Sequence, residues 1–452
     1  MGIKINQNST IVAITTPIGV GGVSIVRISG KKSISTADKL FVSLGKKRPS
    51  EFKSRELVLG TFTGKAFKEN CLCVVFRNPN SFTGEDVVEF QCHGGIKVTN
   101  MILEECLKNG CKLAQNGEFS FRAFMNGKMN LSEAEGMIDI INAETETELN
   151  VGYDLMSGGL TAKIQVLQDD LVDIMSDIEV SFDYPEEDLE YKTIPEITSR
   201  LEKVKENITN LVNTGYTGSI IKNGINVVIV GRPNVGKSSI LNALLRFDKA
   251  IVTDIAGTTR DIVEDRFEVN GIKVNIIDTA GIRETEDVIE KIGVERSRSA
   301  IKKADIVLFV IDNSEKLTQK DREIFELIKN KKYIVIANKC DKKQVNTEFP
   351  NAIKVSAKTN DGIDNIKQTI YNLVIDKNVL GNGTIITNQR HIECLKEAEK
   401  NIIDALKVIK TGTLDLVSID LNNAYSNLGE ITGTTTNEKI LDSIFKKFCL
   451  GK

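Results

Sequence analysis

The chain is poor in the residues that build metal centres. It has two histidines, and its eight cysteines, at 71, 73, 92, 106, 111, 340, 394 and 449, form no C-x-x-C pair, which leaves little from which to assemble a zinc site. Charge of one dominant sign is also missing. The net charge is −3, so no whole-protein basic field draws the chain to nucleic acid, and contact with RNA needs a local patch or a partner. No run approaches the ~18 apolar residues of a membrane span, and the opening MGIKINQNST has no charged stretch followed by an apolar one, as a secretory signal would. A cytoplasmic location with reduced thiols and no membrane contact is the expectation.

What is present is ordinary for a soluble protein, with 41% hydrophobic and 27% charged residues over 452 positions. That length exceeds one compact core and predicts about two to four domains. Residues 9–16 and 21–28 alternate as strands hinged on Pro17, Gly19, Gly21 and Gly22, and 71–76 and 87–91 add more strand character, so residues 1–125 predict an α+β domain. From about 131 the spacing turns helical, with Ser132 as candidate N-cap and Glu135 three residues on. Two further helices follow, separated by the acidic DYPEEDLEY, the second breaking at Gly215. Residues 126–222 and 378–452 predict two parts of one helical bundle. Between them, residues 223–377 alternate strands and helices, which predicts a Ras-like α/β domain inserted into the bundle.

That inserted stretch carries the chemistry. GRPNVGKSS, from Gly231 to Ser239, fits G-x-x-x-x-G-K-[ST] between the apolar INVVIV and the amphipathic SILNALLRF. Backbone N–H groups of Asn234, Val235, Gly236, Lys237, Ser238 and Ser239 would curl around phosphates, Lys237 would reach the β/γ oxygens, and Ser238 would ligate Mg²⁺. DTAG (Asp278, Thr279, Ala280, Gly281) ends the strand IKVNII, placing Asp278 at the carboxyl edge where such sheets bind ligands. NKCD (Asn338, Lys339, Cys340, Asp341) supplies a carboxylate able to accept from N1–H and the exocyclic amine of guanine, which adenine does not offer. Ser356, Ala357 and Lys358 would pack on that base. The loop Thr253, Asp254, Ile255, Ala256, Gly257, Thr258, Thr259 lies between P-loop and DTAG, with Thr259 as the second protein ligand to Mg²⁺.

One expected residue is absent. Ras-type GTPases place a water-orienting glutamine after DTAG, and here Ile282 stands there. A cation at the β/γ bridge must then come from an arginine finger or from a monovalent metal. Asn234 offers a side-chain carbonyl to such an ion, although an asparagine beside Pro233 is also a turn former, and the 253–258 loop is near enough in chain to lend backbone carbonyls. The water would need an acceptor from RETEDVIEKIG, whose carboxylates are Glu284, Glu286, Asp287 and Glu290; composition does not choose among them.

Beyond these motifs, PIGVGGVSIVRISG, FTGEDVVEFQCHGG, NGEFSFRAFMNGKMNLSEAEG, VSFDYPEED and the terminal CLGK together make the whole chain resemble the MnmE (TrmE) family of tRNA modification GTPases. The resemblance implies an α+β folate-binding and dimerising N-terminal domain, a helical domain and an inserted G domain. It implies a homodimer that joins an FAD-bearing MnmG-like partner in a heterotetramer and modifies C5 of the wobble uridine, position 34, of certain tRNAs. It implies K⁺ held by Asn234, Thr253, Ile255 and Thr258, with Glu290 orienting the water. A tetrahydrofolate derivative is implied at Arg27, Glu89, Lys128 and Lys452. Val20 stands where many relatives carry a basic residue. A ribosome-assembly GTPase of the Era type is the rival reading; it would carry an RNA-binding module such as a KH domain after the G domain, where this sequence predicts helices.

Overall fold

The computed structural model describes residues 8–183, 193–246, 265–277, 299–345, 348–375, 383–409 and 414–452. The chain falls into two compact units, one of Met1–Asn142, Gly152–Val204 and Lys400–Lys452, the other of Ala143–Val151 and Lys205–Glu399. The second is inserted in chain between segments of the first.

The first unit opens with a seven-stranded sheet in the order β3-β4-β5-β6-β2-β1-β7. Its strands are β1 (Ile11–Ile14), β2 (Gly21–Ser29), β3 (Phe41–Ser43), β4 (Leu57–Thr63), β5 (Lys68–Phe76), β6 (Val87–Gly94) and β7 (Lys112–Leu113). All neighbours run antiparallel except β1 and β7. β1 and β2 form the expected hairpin across the glycine-rich turn, pairing Ile11 with Ser29 and Ala13 with Arg27. Alternate residues of β5 and β6 turn inward, where Phe41, Phe62 and Phe90 pack with Cys71, Cys73, Cys92, Cys106 and Cys111. These buried thiols behave as small apolar groups. Helices α1 (Ser33–Leu40) and α2 (Ile96–Lys108) cover this core, and α3 (Glu118–Met125) follows.

In the helical part of this unit, α4 (Leu131–Asn142) has its N-cap two residues earlier than Ser132 suggested. Asn130 Oδ1 accepts the Glu133 N–H, and Glu133 Oε2 accepts the Asn130 N–H, each at 2.9 Å, so the capping box is Asn130 with Glu133. Ser132 is buried and donates to Asn130 Oδ1. The long α6 (Gly159–Asp183) buries Leu160, Ile164, Leu167, Leu171, Ile174 and Ile178 in alternating steps of four and three. It packs against α12 (Leu414–Thr432), which buries Val417, Leu421, Ala424, Leu428 and Ile431 on the same rhythm. Burying one such leucine contributes about 2 kcal/mol. The closing α13 (Glu438–Phe445) brings Ile444 and Phe445 onto Leu131 and Ala134.

The second unit is built on a six-stranded sheet, order β13-β12-β11-β8-β10-β9. The strands are β8 (Ile225–Val230), β9 (Asp265–Val269), β10 (Ile272–Ile276), β11 (Ile306–Asp312), β12 (Tyr333–Asn338) and β13 (Ile353–Lys354). Only the edge strand β9 runs antiparallel to its neighbour. Every residue of β11 is buried, as a central strand covered on both faces requires. The covering helices include α8 (Lys237–Arg246), α9 (Gln319–Ile328) and α10 (Ile363–Val374). Two more, α7 (Ile194–Asn223) and α11 (Gln389–Ile409), supply helical segments. α7 runs through Gly215 rather than breaking there. A Cβ on Gly215 would stand 2.7 Å from Ile392 Cδ1, and on Gly218 2.0 Å from the Ile386 carbonyl oxygen, so these glycines serve close packing. Among the described residues no helix is long and apolar enough to cross a membrane.

A candidate nucleotide site at the carboxyl edge of the parallel sheet

The P-loop leaves the end of β8 and enters α8 at Lys237, the strand, loop and helix order that the motif requires. Two close approaches explain its glycines. A Cβ on Gly231 would lie 2.3 Å from the Val310 carbonyl oxygen, and on Gly236, at φ +98°, 2.2 Å from Asn338 Nδ2. Asn234 takes a left-handed φ of 64°, holding an exposed side chain at the crest of the loop. Lys237 Nζ donates to the carbonyls of Gly231 and Arg232 at 2.9 and 3.0 Å. Burial lowers the pKa of its ammonium, and phosphate oxygens in its place would restore it. Ser238 and Ser239 are exposed in the first turn of α8.

NKCD begins at the last residue of β12 and is tied to the P-loop by its first two members. Asn338 Nδ2 donates to the Val235 carbonyl at 2.8 Å while its Oδ1 accepts the Ala357 N–H at 3.2 Å, so one buried amide joins three loops. Lys339, at φ 64°, donates to the Asn234 carbonyl at 2.8 Å and pairs with Asp312 at 2.6 Å. Cys340 is pinned by its N–H on the Val355 carbonyl, and burial pushes its thiol pKa up. Asp341 accepts the Ser356 hydroxyl at 2.9 Å; that bond, with its own backbone N–H, lowers the pKa of the carboxyl. The result is an exposed anion oriented by a buried serine. Lys358, two residues beyond that serine in chain, is exposed. The structure thus brings Asn234, Val235, Gly236, Asn338, Lys339, Asp341, Ser356 and Ala357 together. Thr253 to Thr259, Asp278 to Gly281, Glu284, Glu286, Asp287 and Glu290 lie outside the described residues.

Sequence reasoning missed two supports. Asp312, at the end of β11, is the buried carboxylate that aims Lys339; its place as the last residue of the apolar IVLFVID was the available signal. Arg232 pairs through Nη2 with Glu315 and through Nε with Asp321 at 3.3 Å, anchoring the P-loop to the first turn of α9.

A second cluster stands in the first unit. Arg27 Nε meets Glu89 Oε1 at 2.7 Å across paired β2 and β6, and the guanidinium lies over the rings of Phe82 and Phe119 at 5.5 and 5.7 Å. Lys452 joins them: burial, then the charge of Arg27, lowers the pKa of its amine. A Cβ on the preceding Gly451, at φ +94°, would be 2.3 Å from the Ile14 carbonyl oxygen, so this segment lies directly on β1. Lys128 reaches the loop that carries Phe82, its stem close enough that a Cβ on Gly84 would be 3.3 Å from Lys128 Cγ. Behind this surface the buried Arg122 pairs with Glu118 at 2.8 Å and Glu85 at 3.1 Å. Phe82, Phe119 and this network were not anticipated; the Glu118–Arg122 spacing of four on a helix was the visible clue. All eight cysteines are free, Cys449 exposed, and no group of three or more metal-ligating side chains occurs among the described residues.

A strand, P-loop and helix with an N-K-x-D base motif on the same sheet edge define a P-loop nucleotide-binding domain, here inserted into a chain with an α+β N-terminal domain and a helical domain. The family models that match are the TrmE N-terminus, described as a GTP-binding protein, over residues 10–128, and the MnmE helical domain over residues 131–449. The tRNA modification GTPase MnmE of Clostridioides difficile is 41% identical over 98% of this chain and 99% of its own length. That of Alkaliphilus oremlandii is 42% identical over the same shares. The chain belongs to the MnmE family of tRNA modification GTPases. Among solved structures, Era bound to a GTP analogue and a 16S ribosomal RNA fragment is similar at 31% identity, covering 39% of this chain and 66% of that one, with a TM-score of 0.27. The Era-type rival is not favoured, since the family match runs through the N-terminal and helical segments, and α11, α12 and α13 follow the sheet.

Proposed function

We propose that the chain is a potassium-activated GTPase of the cytoplasm. As a homodimer with an FAD-bearing MnmG-like partner, it takes part in tetrahydrofolate-dependent modification at C5 of uridine 34 of certain tRNAs. The observation that carries the GTPase reading is the Asn338 bridge, which locks P-loop and base loop into one body with the ionised Asp341 turned outward. Asp341 accepts from N1–H and the exocyclic amine of guanine. Lys237 exchanges two loop carbonyls for the β and γ oxygens, and the start of α8 donates its N–H groups.

The exposed Asn234 crest suits a monovalent cation, and Ser238 at the helix start suits Mg²⁺. Asn234 with Thr253, Ile255 and Thr258 would hold K⁺, and Ser238 with Thr259 would hold Mg²⁺, supplying positive charge around the phosphates. Glu290 would orient the water. In the N-terminal domain, Arg27, Lys128 and Lys452 offer cations to a glutamyl tail, and Glu89 offers a carboxylate to a pterin edge.

GTP turnover in K⁺ and in Na⁺ at equal ionic strength tests the first half: faster turnover in K⁺ is expected, and equal rates refute it. Mass analysis of tRNA nucleosides from cells lacking the protein tests the second. Loss of a C5-substituted wobble uridine is expected, and an unchanged nucleoside profile refutes it.

A further inference from the structure

The edge of the nucleotide sheet is a hairpin that the chemistry above does not use. β9 and β10 are joined by Asn270 and Gly271, at φ 48° and 81°, a two-residue turn that sets Ile272 opposite Val269. In chain the hairpin stands between the 253–259 loop and DTAG. The first turns of α5 (Glu146–Met156), with the residues just before it, sit on this hairpin. A Cβ on Gly271 would lie 2.0 Å from Thr147 Oγ1. Val151 packs on the apolar cluster that contains Val269, Ile272 and Val274.

Charge completes the contact. Lys273 Nζ is 2.9 Å from Glu148 Oε1 and 3.8 Å from Glu144 Oε2, and Arg266 Nη1 is 3.3 Å from Glu144. Glu144 and Arg266 are exposed, so their pairing contributes little. Lys273 and Glu148 keep only 16% and 9% of their side chains exposed, so displacing either strands a shielded charge. Glu148 is fixed independently of the lysine: its Oε2 accepts the Glu144 N–H at 2.8 Å, and its own N–H is capped by Thr145 Oγ1 at 3.2 Å.

We infer that Glu148 and Lys273 are positioning residues for GTP hydrolysis: α5 clamps the β9–β10 hairpin and thereby sets where the two motifs flanking it in sequence meet the phosphates. This rests on the GTPase reading above. β10 is hydrogen-bonded on both sides, to β8 and to β9, so it moves as a stiff rod. Lys273 lies on that rod just ahead of Asp278 in chain, and a shift at the lysine is carried along it. A misplacement of about 1 Å at a reacting centre is worth roughly 100-fold in rate.

The test uses the full chain with saturating GTP and K⁺. Glu148→Gln keeps the shape and the acceptor for the Glu144 N–H while removing the charge. It is expected to lower kcat about tenfold or more, with KM for GTP and affinity for GDP changed less than about twofold. Lys273→Glu should do the same, and the swapped pair Glu148→Lys with Lys273→Glu should recover most of the lost kcat. A kcat for Glu148→Gln within twofold of wild type, or a swapped pair no better than the single variants, overturns the inference. Should Lys273→Glu fail to fold, hydrogen exchange of residues 146–151 in the wild-type chain decides. Different protection with GDP and with a non-hydrolysable GTP analogue supports the clamp, and identical protection overturns it. A wild type without GTP turnover would sink the GTPase reading and this inference together; an active wild type with undisturbed variants would sink this inference alone.

Discussion

Asp341→Asn isolates base recognition from everything else the site does. In the wild-type chain one carboxylate oxygen accepts the Ser356 hydroxyl at 2.9 Å, and the group is exposed and held ionised. Asparagine keeps an acceptor for Ser356, so the loop geometry survives. What changes is the face offered to the base, where an acceptor becomes an N–H₂. Two charge-assisted hydrogen bonds to guanine are lost, each worth roughly ten- to a hundredfold. GTP affinity is therefore expected to fall about 10²- to 10⁴-fold. Xanthine carries a carbonyl where guanine carries the amine, so XTP should gain over GTP. The assay is competition of GTP, XTP and ATP for a fluorescent guanine nucleotide, with thermal unfolding run alongside to confirm that Tm holds. Unchanged guanine preference in a folded variant would refute the role of Asp341. A general loss of all nucleotides with a lower Tm would show instead that the carboxylate matters for folding the loop.

Three further outcomes are expected. Gly236→Ala must place a methyl 2.2 Å from Asn338 Nδ2 at φ +98°, which costs about 2–5 kcal/mol from backbone strain and overpacking and breaks the Val235 tie; urea unfolding and GTP titration measure both. Burial acts to raise the Asp312 pKa, but Lys339 and two donors from Ser314 outweigh it and hold the carboxyl below its ordinary 3.8. Its stabilising contribution is thus present above that value and lost as pH falls through the depressed folded one, so an acid titration of Tm should lose slope in Asp312→Asn. Glu290→Ala should slow single-turnover hydrolysis about 100-fold or more with GTP affinity nearly intact; weakened binding would assign Glu290 another task.

The motifs of the nucleotide site were legible because each is short, contiguous and bound to one strand end, so order along the chain stands in for position in space. GRPNVGKSS and NKCD needed no tertiary information to be placed at one sheet edge. The hairpin around Gly19 to Gly22 was legible because alternation and glycine agree. Partners distant in sequence were not. Asp312 meets Lys339 only because β11 and β12 are parallel neighbours, and Arg27 meets Phe82, Phe119 and Lys452 only after the sheet has formed. Local signals also misled where two possible capping boxes overlap in the sequence, Asn130 with Glu133 and Ser132 with Glu135. Asn130 and Ser132 are both good caps, and the geometry of Glu133 decided between them. At Gly215 the glycine was a packing residue inside a helix rather than its end.

The seam between α6 and α12 joins stretches separated by roughly 230 residues of chain. A ribosome adding about 5–20 residues per second leaves α6 without its partner for about 10–50 s. Throughout that interval α6 has α4 and α7 beside it but not α12, so the row from Leu160 to Ile178 remains an oily strip short of its main cover, while the residues that follow have time to assemble a sheet of their own. Newborn chains of this protein should therefore be clients of a holding chaperone, and the strip, rather than the nucleotide domain, is the segment it would grip.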